Sequence, residues 1–291
     1  MPVPVSSVYD ELMHYTTFNG LNGIISSGCI WATDARYLND AREISHYFDI
    51  RLAAVIEPVA KSVLYELGRD PNKLAEIISR GGFEALIKEK VAAVSGSIQA
   101  ASQQMNRPFV LSLCGAQTER VQRSGLLSQW RGYGSNGGFA LVFDTKGIEA
   151  GLELEAKAFA YLHVQIGDVF YEGIASDTQP AKVEFEEMEA AVQKGAEQLI
   201  REGEVPAESG DFYQAVTGLS CLFKHWGFAE EREVRIVAIP VPENLQSVDL
   251  PPQNPIKTYT RNDEKVPYIE LFTGALDLEK RQKLPLKRVI I

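Results

Sequence analysis

Two carboxylates and an arginine alternate at the start of a segment that has the pattern of a buried strand. Glu231, Glu233 and Arg235 occupy every second position of the run EEREVRIVAI. Because the side chains of a strand point alternately to its two faces, these three residues would share one face. The arginine would hold both acids ionised, which favours a polarised site. The alternative interpretation is a solvated strand face of alternating charge.

A second group of polar side chains lies where a predicted strand meets a predicted helix. Apolar and polar residues alternate over 12–15, and residues 18–27 follow with helical periodicity and a closing glycine at position 28. His14, Tyr15 and Thr16 therefore stand at a strand end, a place where many folds bind their ligands. The alternative role for His14 is that of a single, hydrogen-bonded histidine near the core.

The loop RYLND at 36–40 contributes a third group of candidates. Asp40 is placed to cap a helix that begins near residue 41, and capping accounts for both Asn39 and Asp40 without any ligand. Capping does not account for Arg36 and Tyr37, which remain candidates for binding.

The segment LSQWRGYG at 127–134 is dense in ligand-capable side chains. These are Gln129, Trp130, Arg131 and Tyr133, which offer flat faces for stacking and a guanidinium for phosphate. The glycines at 132, 134 and 137 match the dinucleotide-binding pattern GxGxxG, but that pattern needs a helix after it, and the strand-like FALVFD follows here. The glycines thus predict a turn into a strand, and packing on the core is the alternative role of the aromatic residues.

The remaining periodicity predicts helices and strands in separate blocks. Residues 42–105 carry helical patterns interrupted at Pro58, Asp70-Pro71 and Gly81-Gly82, and helices are also predicted over 181–203 and 211–226. The predicted strands are FVLSLC, FALVFD, the segment 158–171, EVRIVAIP, VPYIELF and KRVII. This segregation indicates an α+β fold with an all-helical insertion at about 42–105.

Composition and charge restrict the function classes. Hydrophobic residues make up 45% of the 291 residues, enough for a large core, and the net charge of −10 argues against a surface that attracts nucleic acid or anionic lipid as a whole. The cysteines at 29, 114 and 221 have no disulfide or zinc spacing, so no metal is expected. Without a signal-peptide pattern or an apolar run of about 18 residues, we expect a cytoplasmic protein with no membrane partner.

The order of these patterns resembles known families. The segments LMHYTTFNGLNGIISSGCIWATDARYLND, FVLSLC, LLSQWRGYGSNGGFALVFD and KHWGFAEEREVRIV resemble a bacterial family catalogued as a domain of unknown function. The two ends of the chain also resemble ADP-ribosyltransferases of the DarT type and tRNA 2′-phosphotransferases. At the first end, the matching residues are His14, Thr16, Leu21, Ile24, Gly28 and Ile30. At the second end, Glu231-x-Glu233 is similar to the [Gln/Glu]-x-Glu motif, in which the second carboxylate is catalytic.

The resemblance implies an ADP-ribosyltransferase-like split β-sheet core, forming one domain over 1–291 with the helical insertion. It implies NAD as the substrate and Glu233 as the carboxylate that opposes an oxocarbenium-like transition state. It also implies that Glu231 directs the acceptor, while His14 and Thr16 fix the sugar hydroxyls and the nicotinamide amide. No metal is required.

The same resemblance leaves the middle motif of the site open. Tyr37 or Tyr133 would stack on the nicotinamide, and Arg36 or Arg131 would pair with the pyrophosphate. The remaining candidates for contact with NAD are Tyr15, Asn39, Gln129, Trp130 and Arg235.

The leading interpretation is a mono-ADP-ribosyltransferase that acts on a macromolecule, either nucleic acid or protein. By analogy with the family it would be a bacterial toxin or anti-phage effector, with an antitoxin as a further partner. The alternatives are an NAD glycohydrolase, a module that binds NAD or ADP-ribose without turnover, and an RNA 2′-phosphotransferase that would use Arg36, Arg131 and Arg235.

Overall fold

The computed structural model describes residues 4–38, 43–105, 107–133, 137–174, 179, 181–203, 210–273 and 284–291. Asn39 and Asp40, which the sequence proposes for binding or capping, lie outside the described residues. The chain forms two compact units. Unit 1 consists of Met1–Asp40, Arg107–Lys182 and Lys224–Ile291, and unit 2 consists of Ala41–Asn106 and Val183–Phe223. The helical segment expected as an insertion thus shares its unit with a later part of the chain.

The predicted α+β class is confirmed, and the sheet belongs to unit 1. The strands are β1 (Glu11–Thr17), β2 (Ile30–Asp34), β3 (Phe109–Gly115), β4 (Gly138–Asp144), β5 (Tyr161–Asp168), β6 (Phe170–Tyr171), β7 (Phe223–Lys224), β8 (Glu233–Pro240), β9 (Lys257–Arg261), β10 (Glu264–Leu271) and β11 (Leu286–Ile290). Nine of them form one antiparallel sheet in the order β11-β4-β1-β3-β2-β10-β9, with β8 paired to β3 and β5 paired to β8.

Strand β3 pairs with three other strands of this sheet. One edge pairs with β8 over residues 109–114. The other edge pairs with β2 at residues 109–110 and with β1 at residues 114–115. The sheet therefore splits beside residues 111–113, between β1 and β2.

Alternation along the strands gives the sheet two different faces. The core face carries buried apolar residues that include Leu12, Leu111, Leu113, Leu141, Phe143, Val234 and Ile236. The opposite face carries Ser112, Cys114, Glu233 and Arg235, because Cys114 pairs with Glu233 and Ser112 pairs with Arg235. We call this second side the Glu233 face.

Helices occur in both units. In chain order they are α1 (Phe18–Ser27), α2 (Glu43–His46), α3 (Leu52–Leu67), α4 (Pro71–Ser79), α5 (Gly82–Met105), α6 (Glu119–Ser124), α7 (Leu127–Tyr133), α8 (Thr145–Ala158), α9 (Lys182–Glu202) and α10 (Gly210–Leu222). Among the described residues, none of these helices combines the length and the apolar character needed to cross a bilayer.

Helix α1 begins and ends as its sequence predicts. The Thr17 side chain accepts a hydrogen bond from the backbone N–H of Gly20 at 3.3 Å, which satisfies one of the first free donors of the helix. Gly28 then ends the helix with a left-handed backbone, φ 68°, that glycine adopts without steric cost. These two signals fix the turn between β1 and β2.

The structure corrects two predictions about helices in the rest of the chain. The turn predicted at the glycines 132, 134 and 137 is wrong for Gly132, which lies in α7, whereas Gly137 before β4 has the positive φ of a turn, 90°. Gly134 lies outside the described residues. The interruption predicted at Pro58 is absent, because α3 runs through it. Proline inside a helix costs about 3 kcal/mol of stability. Burial of the apolar face of α3 outweighs that cost, because each large buried side chain contributes ~1.5–3 kcal/mol. That face consists of Val55, Ile56, Ala60, Val63 and Leu64.

Unit 2 contains a buried aromatic cluster. Tyr47, in the π-helical turn Tyr47–Arg51, contacts Phe185 and Phe223 with ring centroids 6.5 and 5.7 Å away. Arg51 adds a bidentate ion pair to Glu189 of α9, at 2.7 and 2.8 Å. These contacts join the two chain segments that make up the unit.

We expect Gly195→Ala to destabilise unit 2. A Cβ at this position in α9 would lie 2.2 Å from a ring carbon of Phe212 in α10, so the two helices would have to separate at a cost of about 1–3 kcal/mol. The matched control is Gly96→Ala on the exposed side of α5, where a Cβ meets nothing within 4 Å and alanine stabilises the helix by about 0.5–1 kcal/mol. Urea unfolding followed by far-UV circular dichroism measures both, and shifts of the same sign would contradict the close packing.

Candidate functional site

The polar residues of the Glu233 face gather where β8 begins. A 3-10 helix, Trp226–Glu231, precedes the strand, and Arg232 between them has a left-handed backbone with φ 47°. The carbonyl of Arg232 accepts a hydrogen bond from the last N–H of β3 at 2.8 Å, which fixes the register of β8. Glu231 is thus a helix residue, and the prediction that it lies in one strand with Glu233 and Arg235 is wrong.

The structure nevertheless brings both carboxylates to the same cation. Arg235 Nε donates to Glu233 Oε1 at 2.7 Å, and its Nη2 donates to Glu233 Oε2 at 3.0 Å. Lys224 Nζ donates to Glu233 Oε2 and to Glu231 Oε2, at 2.9 Å in each case. The bridged oxygens of the two acids are therefore no more than twice this distance apart. We call these four residues the ion cluster.

Three of the four residues of the ion cluster are almost fully withdrawn from water, and Glu231 is partly exposed. Arg235 is 1% exposed, and Glu233 and Lys224 are each 6% exposed. Burial on its own raises the pKa of Glu233, but the charges of Arg235 and Lys224 and hydrogen bonds from Arg235 and Ser112 outweigh it and hold the pKa at about 2. Glu233 is thus ionised at neutral pH, and with Glu231 the four charges sum to zero.

Neighbouring groups fix the backbone around the ion cluster. The Tyr171 hydroxyl accepts a hydrogen bond from Glu233 N at 2.9 Å, and Cys114 Sγ donates to the carbonyl of Glu231 at 2.8 Å. The ammonium of Lys224 also lies 4.5 Å from the ring centroid of Phe228, within range of a cation–π contact. These contacts hold both carboxylates in one orientation.

A cleft of about 150 Å³ opens beside Glu233. Its walls include Tyr9, Asp168, Tyr171, Gln179 and Arg232. A cavity of this size can hold one aromatic ring. Burial raises the pKa of Asp168 to about 6, while a hydrogen bond from Tyr9 and the charge of Arg232 act in the opposite direction. Glu233 and Asp168, an acid that titrates closer to neutrality, are thus both among the residues that line the cleft.

His14 is connected to Glu233 through Ser112. His14 Nδ1 lies 3.2 Å from the carbonyl oxygen of Ser112, and the hydroxyl of Ser112 donates to Glu233. Burial lowers the pKa of His14, so its neutral imidazole donates from Nδ1. Alternation places the His14 side chain on the core face, because its neighbour Met13 pairs with Cys114. The imidazole therefore satisfies a carbonyl at the split in the sheet.

Tyr15 and Trp130 form a packed aromatic corner. Their ring centroids lie 5.1 Å apart in an edge-to-face arrangement, the Tyr15 hydroxyl accepts from Leu126 N at 2.7 Å, and Trp130 Nε1 donates to the Ser124 carbonyl at 2.7 Å. Burial raises the pKa of Tyr15 to about 12. Thr16 packs closely against α1 at Gly20.

The other candidates from the QWRGYG segment lie on α7. Arg131 and Tyr133 are exposed and Gln129 is half-buried. Helix α7 contacts the 3-10 helix Trp226–Glu231, so its side chains lie near the approach to the ion cluster. They stay candidates for contact with a ligand.

Arg36 and Tyr37 lie at the other end of β3. Arg36 forms an ion pair with Asp34, which pairs with Phe109, and the carbonyl of Tyr37 accepts a hydrogen bond from Arg261. The structure therefore does not bring Arg36 to the ion cluster.

The sequence interpretation missed four residues that surround Glu233. They are Ser112, Asp168, Tyr171 and Lys224. Ser112 carried a signal, since it is the single hydroxyl in the apolar run FVLSLC. Lys224 opens the segment KHWGFAEEREVRIV that supports the family resemblance. Asp168 and Tyr171 carried no comparable signal, because the pairing of β5 with β8 places Asp168 there and the pairing of β6 with β7 places Tyr171.

The fold and the site define an α+β protein with a buried carboxylate and cation cluster at the start of a central strand. A family model described as "Protein of unknown function (DUF2971)" matches residues 129–236. The matched span contains α7 from residue 129 onward, Lys224 and the two acids of the ion cluster. No curated protein and no solved structure matches this chain.

We expect Arg235→Met to destabilise unit 1 by about 3–5 kcal/mol, because it leaves Glu233 buried with one cation fewer. The matched control is Arg123→Met, at an ion pair with Glu119 whose side chains are 79% and 86% exposed; its unfolding midpoint should not move. All three tryptophans belong to unit 1, so urea unfolding followed by tryptophan fluorescence reports on this unit. Similar midpoints for the two variants would contradict the structural importance of the ion cluster.

We also expect Asp168→Asn to remove a pH dependence of stability. The raised pKa means that folded Asp168 keeps its proton up to about pH 6, whereas the unfolded chain releases it near pH 3.8. The wild type therefore loses stability relative to the variant as the pH rises from 4 to 7, by about 2 kcal/mol. Fluorescence-monitored unfolding over this range gives the difference, and a constant difference would show that Asp168 does not titrate in this way.

Proposed function

We propose that unit 1 binds NAD, cleaves its nicotinamide–ribose bond and transfers ADP-ribose to a macromolecule. The observation that supports this most is the pair of carboxylates, Glu231 and Glu233, which Lys224 bridges beside a cleft that can hold one ring. The pair agrees in residue type and spacing with the [Gln/Glu]-x-Glu motif of ADP-ribosyltransferases.

Glu233 has the properties that bond cleavage requires. Departure of nicotinamide takes the bonding electron pair to the ring nitrogen and leaves positive charge on the ribose C1′. Carboxylates stabilise transition states of this kind in glycoside hydrolysis. Glu233 is ionised and buried, and Arg235 holds its carboxylate in place by two hydrogen bonds.

Glu231 suits the second step, in which the acceptor bonds to C1′. Its side chain is 21% exposed, against 7% for Glu233, so an acceptor from solvent can reach it. Lys224 keeps its carboxylate near Glu233, at a separation comparable with the ~5–5.5 Å of the paired carboxylates in retaining glycosidases. Glu231 would accept the proton that the attacking group loses.

His14 enters this proposal as a positioning residue. Its imidazole contacts the Ser112 carbonyl and the Ser112 hydroxyl contacts Glu233, so it acts on the carboxylate through the backbone of β3. The direct contact with a sugar that the sequence suggests would require His14 to leave this carbonyl.

A second candidate, binding of NAD or ADP-ribose without turnover, is favoured by the neutrality of the ion cluster. Glu233 is matched by two cations, Lys224 and Arg235, which reduces its attraction for developing positive charge. An inactive module would keep such a cluster for its contribution to structure.

The acceptor and the biological role rest on the family resemblance. An effector or toxin role, and an antitoxin partner, follow from the same analogy. Hydrolysis of NAD, with water as the acceptor, uses the same two carboxylates.

We expect purified wild-type protein to release nicotinamide from NAD, and Glu233→Gln to reduce the rate by about 10²–10³-fold, as the loss of a key charge-stabilising group does in other enzymes. Glu231→Gln should keep release into water while losing transfer to macromolecules. Each protein is assayed with and without bacterial lysate, with radiolabelled NAD as the donor.

Tryptophan fluorescence and circular dichroism establish that each variant is folded, which matters because Glu233→Gln removes one of the two carboxylates that balance Lys224 and Arg235. Incorporation of label in lysate supports transfer, and release without incorporation supports the glycohydrolase. If folded wild type releases no nicotinamide in either condition while still binding NAD, the module without turnover replaces the proposal.

A further inference from the structure

A buried carboxylate orients two arginines at the end of β3 that is remote from Glu233. Asp34 is fully buried, and its oxygens accept hydrogen bonds from Arg36 Nε at 3.0 Å, Arg36 Nη2 at 2.6 Å and Arg107 Nε at 2.7 Å. The backbone N–H of Arg36 adds a fourth bond at 3.0 Å. Asp34 is thus saturated with donors, and it fixes the position of both guanidinium groups.

Both arginines present the rest of their donors to solvent. The side chains of Arg36 and Arg107 are 58% and 41% exposed, although the carboxylate that holds them is buried. An arginine carries five N–H donors. Asp34 accepts hydrogen bonds from Nε and Nη2 of Arg36. The two Nη atoms of Arg36 form a second fork on the outer side of the guanidinium. From Arg107, Asp34 accepts a hydrogen bond from Nε only. The guanidinium of Arg107 also lies 5.7 Å from the ring centroid of Phe109.

The local charge has an excess of positive sign. Two arginines and one aspartate leave one positive charge. Arg261, whose Nη2 donates to the carbonyl of Tyr37, lies opposite Glu264 in the β9–β10 pair, so its charge is not counted in this excess. This excess occurs in a chain of net charge −10, so it is not part of a generally basic surface. Adjacent, pre-oriented guanidinium forks match the geometry of a phosphate group.

The position of these arginines separates them from the carboxylates. Asp34 pairs with Phe109, and Glu233 pairs with Cys114, five residues further along β3. Five residues of a strand span roughly 17 Å. In NAD only a few bonds separate the nicotinamide ribose from the pyrophosphate. A phosphate bound here is therefore not the pyrophosphate of an NAD whose nicotinamide ribose contacts Glu233.

We propose that Arg36 and Arg107, oriented by Asp34, form a binding site for a phosphate group that is separate from the Glu233 site. The ligand class is a phosphate ester or free phosphate, recognised by two guanidinium forks. The site does not depend on the proposed reaction with NAD, because nothing in its geometry involves the ion cluster.

The test is titration of the full-length protein with inorganic phosphate, followed by isothermal calorimetry in a phosphate-free buffer of low ionic strength. We expect saturable binding by the wild type that is weakened at least tenfold in Arg36→Met and in Arg107→Met. Arg107→Lys keeps a positive charge beside Asp34. It is the second variant to use if Arg107→Met does not fold. Arg123→Met removes an equal charge from an exposed ion pair and should bind phosphate as the wild type does.

The outcomes separate this site from the proposed function. Glu231→Gln should bind phosphate normally whether or not the chain cleaves NAD. Absence of saturable binding by the wild type, or equal weakening in Arg123→Met and Arg107→Met, would overturn the proposal, since the second result indicates general attraction to positive charge.

Discussion

Among the described residues, no strand pairs with part of one edge of β3, and the backbone groups there need other partners. A buried carbonyl without a hydrogen bond costs about 1–3 kcal/mol. At the split between β1 and β2, the carbonyl of Ser112 has His14 as its partner. The side chain of the same serine contacts Glu233 on the other side of the sheet. The opening of the sheet and the position of the carboxylate thus depend on one residue of β3.

The ion cluster joins three consecutive pieces of chain: the end of β7, the 3-10 helix before β8, and β8 itself. Each piece contributes a charge that would be costly if buried alone, so the charges specify one arrangement of these pieces. The left-handed backbone of Arg232 makes this arrangement possible, because it turns the chain between Glu231 and Glu233 while both carboxylates stay on Lys224. The rigid surroundings favour a site that is organised before any ligand binds.

Local signals in the sequence predicted those elements that local interactions determine. The helix predicted over 18–27 with its closing Gly28 is α1, and the apolar runs of β3, β4 and β8 are strands as expected. No local signal in the sequence predicted which charged residues would form ion pairs with one another. Lys224 lies in a segment predicted to be helical to residue 226, whereas α10 ends at Leu222 and the chain becomes extended. The strand alternation expected for Glu231 is wrong because the next residue, Arg232, has a positive φ. A sequence pattern that repeats every two residues gives no sign of such a turn in the backbone.

The neutrality of the ion cluster sets a condition on the proposed chemistry. Glu233 opposes developing positive charge effectively only if one of its two cations withdraws. Arg235 is held by a bidentate contact and is 1% exposed, so it stays in place. Lys224 is a point charge on a flexible stem, shared between Glu231 and Glu233, with the ring of Phe228 beside it. A shift of its ammonium toward Glu231 would leave Glu233 paired within the ion cluster with Arg235 alone, and it would lower the basicity of Glu231. The same lysine thus decides between catalysis and binding. If it moves toward Glu231, Glu233 keeps one cation fewer and can oppose positive charge. If it stays between the two carboxylates, the cluster remains a neutral support for β8.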